Sequence, residues 1–118
     1  MIELIKIVKS RLPTKKWTAF FKIDGKNRVV NFGYKNFNDL KNDYTLNKDD
    51  KRRRLYLLRH RKDLNTNKPY MAGYLSMFIL WNLKSRQESI EKYKQLLTEY
   101  NKSNDINVFK DYYNELLL

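Results

Sequence analysis

Five of the eight arginines and the single histidine of this chain fall in one stretch, Lys51 to Lys62 (KRRRLYLLRHRK), around a central apolar run. From Asn47 to Lys62, eight Lys and Arg stand against two Asp, a net +6 and half of the +12 carried by the whole protein. The chemistry such a cluster offers is ionic capture of phosphates or carboxylates. Arginine suits it better than lysine, because its planar fork grips an anion with two hydrogen bonds. Lys51, Arg52, Arg53, Arg54, Arg59, Arg61 and Lys62 are therefore candidate contacts to a polyanion. Tyr56 lies among them and can stack on an exposed base or pack as a lid, and His60 reads as a hydrogen-bonding or stacking group. Contacts of this kind give affinity without reading base sequence.

Catalysis finds less support. No carboxylate pair, glycine-rich phosphate loop or Ser/His/Asp arrangement accompanies His60, and a lone histidine is no mechanism, so no enzyme is expected. Asp49 and Asp50 beside so many cations read as partners of a helix dipole rather than as metal ligands. The absence of cysteine removes disulfide frameworks and thiolate chemistry, and one histidine cannot build a His-rich zinc site. No metal and no cofactor are expected.

The length of 118 residues suits one domain with a core of its own. Nine Tyr, six Phe and two Trp with few Gly and Pro argue for an ordered chain despite a mean hydropathy of −0.79. Met1 to Val8 is too short and too charged for a signal peptide, and the apolar run Tyr74 to Trp81 is far too short to span a bilayer. No membrane partner is expected. A pI near 9.9 points to a polyanion, nucleic acid first. Abundant Lys and Asn also fit a codon bias, but uniform bias does not gather five arginines into one segment. A face neutralised by acids elsewhere in the domain is the competing account of the basic stretch.

These residues need elements to hold them. Met1 to Lys9 reads as a strand, although Met1, Leu4, Ile5 and Val8 also suit a helical stripe. Asp24-Gly25 between KWTAFFKI and KNRVVNFG is a two-residue hairpin turn, since a type I′ turn needs positive φ at both positions. Setting Ile23 opposite Lys26 pairs Phe21 with Arg28, Ala19 with Val30 and Trp17 with Phe32. Trp17, Ala19, Phe21, Ile23, Val30 and Phe32 then share the buried face. Trp17, Phe21 and Phe32 suit core packing better than an open base-stacking platform.

Residues 33 to 46 read as a connection with a short helical turn near Asn38 to Asp43. Asn47 or Thr45 caps the basic helix, which docks through Leu55 and Leu58. Pro69 opens a buried helix running to Trp81, with Ala72, Gly73 and Ser76 as a small face for close approach. Ser85 to Glu88 is a capping box, and Ile90, Tyr93, Leu97 and Tyr100 repeat at helical spacing behind it. A hinge at Asn101 to Asn104 precedes a last amphipathic helix from Asp105, carrying Phe109, Tyr112, Tyr113, Leu116 and Leu117.

Several of these pieces together resemble a family of small basic proteins encoded by large nucleocytoplasmic DNA viruses, the giant viruses of protists and algae. The resemblance rests on the Asp24-Gly25-Lys26 turn with the following VVNFG, and on Asp43-Tyr44-Thr45 ahead of KDDKRRRLYLLRHRK. It continues through the run from Pro69 to Asn82 and the pattern from Ser89 to Lys94, spanning roughly residues 6 to 97. The family is functionally uncharacterised. The resemblance implies a viral protein, late or virion-associated, located in the virion or the infected host cell. Where the family usually has a histidine before the Lys-Asp of the basic helix, this chain has Asn47, so any role of that histidine would be absent.

The expectation is an α+β domain: a small antiparallel sheet, made of the N-terminal strand and the hairpin, packed against three or four helices. Residues 1–100 would form the domain and 101–118 a helical extension, which is also a possible homodimer element. Its function would be sequence-tolerant binding of nucleic acid, DNA sooner than RNA. The competing function is that of a structural or adaptor virion protein whose basic helix docks an acidic protein.

Overall fold

The computed structural model describes residues 1–118. Three strands, β1 (Ile2–Lys9), β2 (Lys15–Ile23) and β3 (Lys26–Tyr34), form one antiparallel sheet in the order β1-β2-β3. Five helices follow: α1 (Tyr44–Asn47), α2 (Asp50–Arg59), α3 (Ala72–Leu75), α4 (Arg86–Ser103) and α5 (Asn107–Leu116). A 3-10 segment (Arg61–Thr66) continues α2, and α3 passes into a π-helical turn (Ser76–Leu80). The architecture is α+β as expected, with more and shorter helical pieces than three or four.

The hairpin has the expected register. Ile23 pairs with Lys26, Phe21 with Arg28, Ala19 with Val30 and Trp17 with Phe32. The turn has φ of 50° at Asp24 and 82° at Gly25, the left-handed conformation that this dipeptide tolerates. Ala19, Phe21 and Phe32 are buried on the predicted face, with Trp17, Ile23 and Val30 partly so.

The N-terminal strand is irregular in an informative way. Leu4 pairs with Phe21 but Lys6 with Phe20, so Ile5 is an extra residue in β1. This bulge resets the alternation. Ile2, Leu4 and Ile7 therefore reach the core together, while Ile5 and Val8 face outward. Of the residues that also suited a helical stripe, Met1, Leu4, Ile5 and Val8, only Leu4 turns to the core.

The buried run is the centre of the molecule. Tyr74, Leu75, Met77, Phe78, Ile79, Leu80 and Trp81 all belong to the core. Its helix starts at Ala72 rather than at Pro69, which lies in the turn before it. The small face is used as expected at Gly73, where a Cβ would stand 2.7 Å from Cβ of Asp63. The 3-10 segment comes that close only because Gly73 has no side chain.

Three further boundaries differ from the sequence reading. The short helix lies at Tyr44–Asn47, capped by Asp43, not at residues 38–43. The basic helix is capped by Asp49, not by Asn47 or Thr45, and ends at Arg59, so Arg61 and Lys62 fall in the 3-10 segment. The helix capped by Ser85 runs through the supposed hinge to Ser103 and ends at Asn104, whose φ is 53°. Asn101 is no hinge. Its side chain accepts from the Ile2 amide at 2.9 Å and donates to the Ile2 carbonyl at 2.8 Å, clamping α4 to β1.

Residues 101–118 pack into the same core as the rest. Phe109 is fully buried, with its ring 5.3 to 6.3 Å from those of Phe78, Tyr74, Tyr93 and Tyr100. Tyr113 is buried beside it, and Tyr112, Leu116 and Leu117 are partly buried. The apolar side of α5 is thus turned inward.

Candidate nucleic-acid interface

The basic helix starts cleanly. The Asp49 carboxylate accepts from the Lys51 and Arg52 amides at 3.0 and 3.2 Å. Asp50 accepts from the buried Tyr44 hydroxyl, a bond that holds its carboxyl below the ordinary range. Burial and the same bond push the Tyr44 hydroxyl up. Asp49 is thus spent on the cap of α2, and Asp50, in its first turn, on Tyr44 of α1.

The docked face is not the expected one. Leu57 is fully buried, whereas Leu55 and Leu58 are 49% and 40% exposed. The turn of α2 that faces the domain carries Arg53, Tyr56, Leu57 and, just beyond its end, His60. Tyr56 lies between His60 and Trp81, with ring centroids at 4.1 and 4.3 Å and the Trp81 ring within 4° of parallel. Both faces of Tyr56 are occupied, so it is no platform for a base. Its burial pushes the hydroxyl strongly upward. The Tyr113 hydroxyl donates to the Leu57 carbonyl at 2.6 Å, fastening the same face to α5.

Two arginines serve the fold. Arg53 stands 5.0 Å over the Tyr44 ring and donates to the Asn82 carbonyl at 2.7 Å. It is a tether, not a free phosphate contact. Asn82 is itself buried, and its Oδ1 accepts from Tyr112 at 2.7 Å, so one asparagine joins α2 to α5. Arg54 is exposed but reaches the Leu117 carbonyl at 2.6 Å.

The remaining candidates point outward. Lys51, Arg59 and Lys62 are exposed and have no carboxylate within 4 Å. Arg61 is exposed and makes one long contact, 3.5 Å, to the Tyr113 hydroxyl. Arg52 pairs with Asp39 at 2.7 Å, and His60 Nδ1 sits 3.2 Å from Asp63 Oδ2. Leu55 and Leu58 lie between the free cations on the solvent side.

Beside α2 the surface sinks into a cleft of about 610 Å³. Arg52, Arg59 and His60 form one wall, and Lys15 and Lys16 at the start of β2 form the other. Gly33 allows this wall to close on the core. Its φ is 82°, and a Cβ there would stand 2.8 Å from Leu80 Cδ1 and 3.2 Å from Lys16 Cβ. Lys16 pairs with buried Asp43 at 2.5 Å, and the other oxygen of Asp43 caps α1 through the Thr45 amide. Sequence reasoning missed Lys15, Lys16 and Asp43. Asp43-Tyr44-Thr45 carried a usable signal, because Asp before a helical turn is a capping residue. The two lysines carried none.

No group of three or more His, Cys, Asp or Glu in the structure is arranged to hold a metal ion, and no helix is long and apolar enough to cross a membrane. No curated protein and no solved structure matches the chain. Residues 5–60, just under half of the chain, are similar to a family of unknown function (DUF5754), and this stretch takes in most of the sheet, α1 and α2.

Proposed function

We propose that this protein binds the phosphate backbone of nucleic acid through the solvent face of α2 and the cleft beside it, without reading base sequence. One observation carries the proposal. Of 25 Lys and Arg, only Lys16 and Arg52 have a carboxylate within 4 Å. The domain's own acids therefore do not neutralise the basic stretch, and its positive field is left for a partner. Lys51, Arg59, Lys62 and Lys15 are the contacts. Arg61 adds to them, Arg53 and Tyr56 hold α2 in place, and His60 braces the wall of the cleft. DNA is the favoured ligand, and the setting we give it is the virion or infected cell of a large DNA virus. That setting rests on the resemblance of the hairpin turn, the basic helix and the buried helix to proteins of such viruses.

The test is binding of short labelled DNA and RNA by nuclease-treated protein across a salt series. Wild type is expected to bind with a steep loss of affinity as salt rises. The variant Lys51→Gln/Arg59→Gln/Lys62→Gln, which spares every tether of α2, is expected to lose about three units of the log–log salt slope. Absence of binding by the wild type at low salt would overturn the proposal.

A second reading has its own support. Leu55 and Leu58 are exposed amid the free cations, and apolar groups ringed by charge suit a protein surface better than a phosphate backbone. In that reading α2 docks on an acidic protein. Leu55→Ser/Leu58→Ser would then abolish the complex while leaving DNA affinity unchanged.

A further inference from the structure

A second cationic cleft, of about 830 Å³, opens where the first turn of α4 meets the ends of β1 and β2 and the α1 turn. Lys9, Lys16, Lys35, Lys48, Lys84 and Arg86 line it against only two acids, Asp43 and Glu88. Asp43 is already taken by Lys16 and by the cap of α1. The other five cations have no carboxylate within 4 Å. Trp17 and Leu46 are the only apolar side chains in the lining, and the Arg86 guanidinium stands 3.9 Å from the centre of the Trp17 ring. Such a lining has little to offer an apolar molecule and much to offer phosphate groups. The positive end of the 18-residue α4 adds to the field, with Ser85 capping only the Glu88 amide.

The sequence does not show this site, because its cations come from separate segments and form no run. Only the fold brings them together. The two clefts are also neighbours, since Lys16 and Asp43 line both. We infer that the cleft at the start of α4 is a second phosphate-binding site, and that one nucleic-acid strand runs from α2 across the Lys16–Asp43 pair into it. Lys9, Lys35 and Lys84 contact its phosphates, and Arg86 on Trp17 presents a flat cationic surface to the strand. The inference rests on the nucleic-acid reading of α2 and extends its footprint to the start of α4.

Lys9→Gln/Lys35→Gln/Lys84→Gln removes three exposed ammonium groups that pair with no carboxylate, Lys35 alone lying over an aromatic ring (Phe37, 5.7 Å), so the fold is expected to survive. Its binding to short fluorescein-labelled single- and double-stranded DNA is compared with wild type and with Lys51→Gln/Arg59→Gln/Lys62→Gln. The salt slope is expected to fall by about three, with affinity weaker by on the order of a hundredfold near ~0.1 M salt. Circular dichroism and the midpoint of thermal unfolding establish that each variant is folded. Wild-type slope and affinity in the α4-cleft variant would overturn the second site, and the α2 reading would stand if its own variant loses binding. Loss in the α4-cleft variant alone would overturn the α2 contacts and, with them, the strand path that joins the two clefts. No DNA binding by wild type would overturn both.

Discussion

Leu57 shows how much hangs on the phase of one helix turn. Leu55, Tyr56, Leu57 and Leu58 are consecutive, and at 100° per residue they span most of the circumference of α2. Four apolar neighbours therefore do not say which of them faces the core. The structure settles it through partners far away in sequence: Trp81 stacks on Tyr56, and Tyr113 bonds to the Leu57 carbonyl. Leu57→Ala is expected to cost about 2–5 kcal/mol, as a fully buried leucine leaves a cavity behind. Leu58→Ala is expected to change stability by no more than ~0.5 kcal/mol. Denaturant unfolding of the two variants checks the difference, and equal costs would mean that the helix docks on another face. The same ambiguity hid the roles of the arginines. Arg53 and Arg59 are alike as letters, yet one braces Asn82 and the other meets solvent. A local count of charges has no access to that distinction.

At the scale of elements, local chemistry was readable where it acts within a few residues. The Asp24-Gly25 turn determined the hairpin register, and Ser85 determined the start of α4. Neither depends on anything distant. The bulge at Ile5 was visible only as a confused periodicity, because an inserted residue breaks the period-2 pattern that identifies a strand. The π-helical turn at Ser76–Leu80 left no such trace, since every residue there except Ser76 is apolar and buried. Gly73 lies between these cases. Its small size was legible, but its partner, the 3-10 segment at Asp63, was not. Gly73→Ala is expected to force that segment away, because the new Cβ would meet Asp63 Cβ at 2.7 Å and Cγ at 2.9 Å. Overpacking of this kind costs about 1–3 kcal/mol. The pair His60–Asp63 should loosen with it, which the His60 imidazole resonances report. An unchanged thermal midpoint with unchanged His60 signals would show that the two segments are not tightly packed.

For the molecule as a whole, charge is the quantity left unbalanced. A domain with principal extents of 39 × 36 × 24 Å holds a formal +12, and only two of its Lys and Arg are paired with carboxylates. Repulsion among the remaining cations opposes the compact state, and salt screens it. Raising ionic strength at neutral pH is therefore expected to raise the thermal midpoint. Acid adds a second effect. The Asp24 carboxyl is held below its ordinary value by the hydrogen bond and charge of the N-terminal ammonium, and Asp50 by the Tyr44 hydroxyl. A carboxyl whose value is lowered on folding stabilises the protein above its unfolded value, near 3.8 for Asp, and that stability is lost as pH falls through the folded value. Below pH ~4 the chain also gains further positive charge as its acids protonate. Stability should thus be lowest in acid at low salt and recover most with salt in acid, since repulsion is greatest there. Scanning calorimetry over a grid of pH and ionic strength measures both dependences. A midpoint that falls with salt at neutral pH would mean that the few internal ion pairs outweigh the repulsion, and the unpaired cations would then be poor evidence for a polyanionic partner.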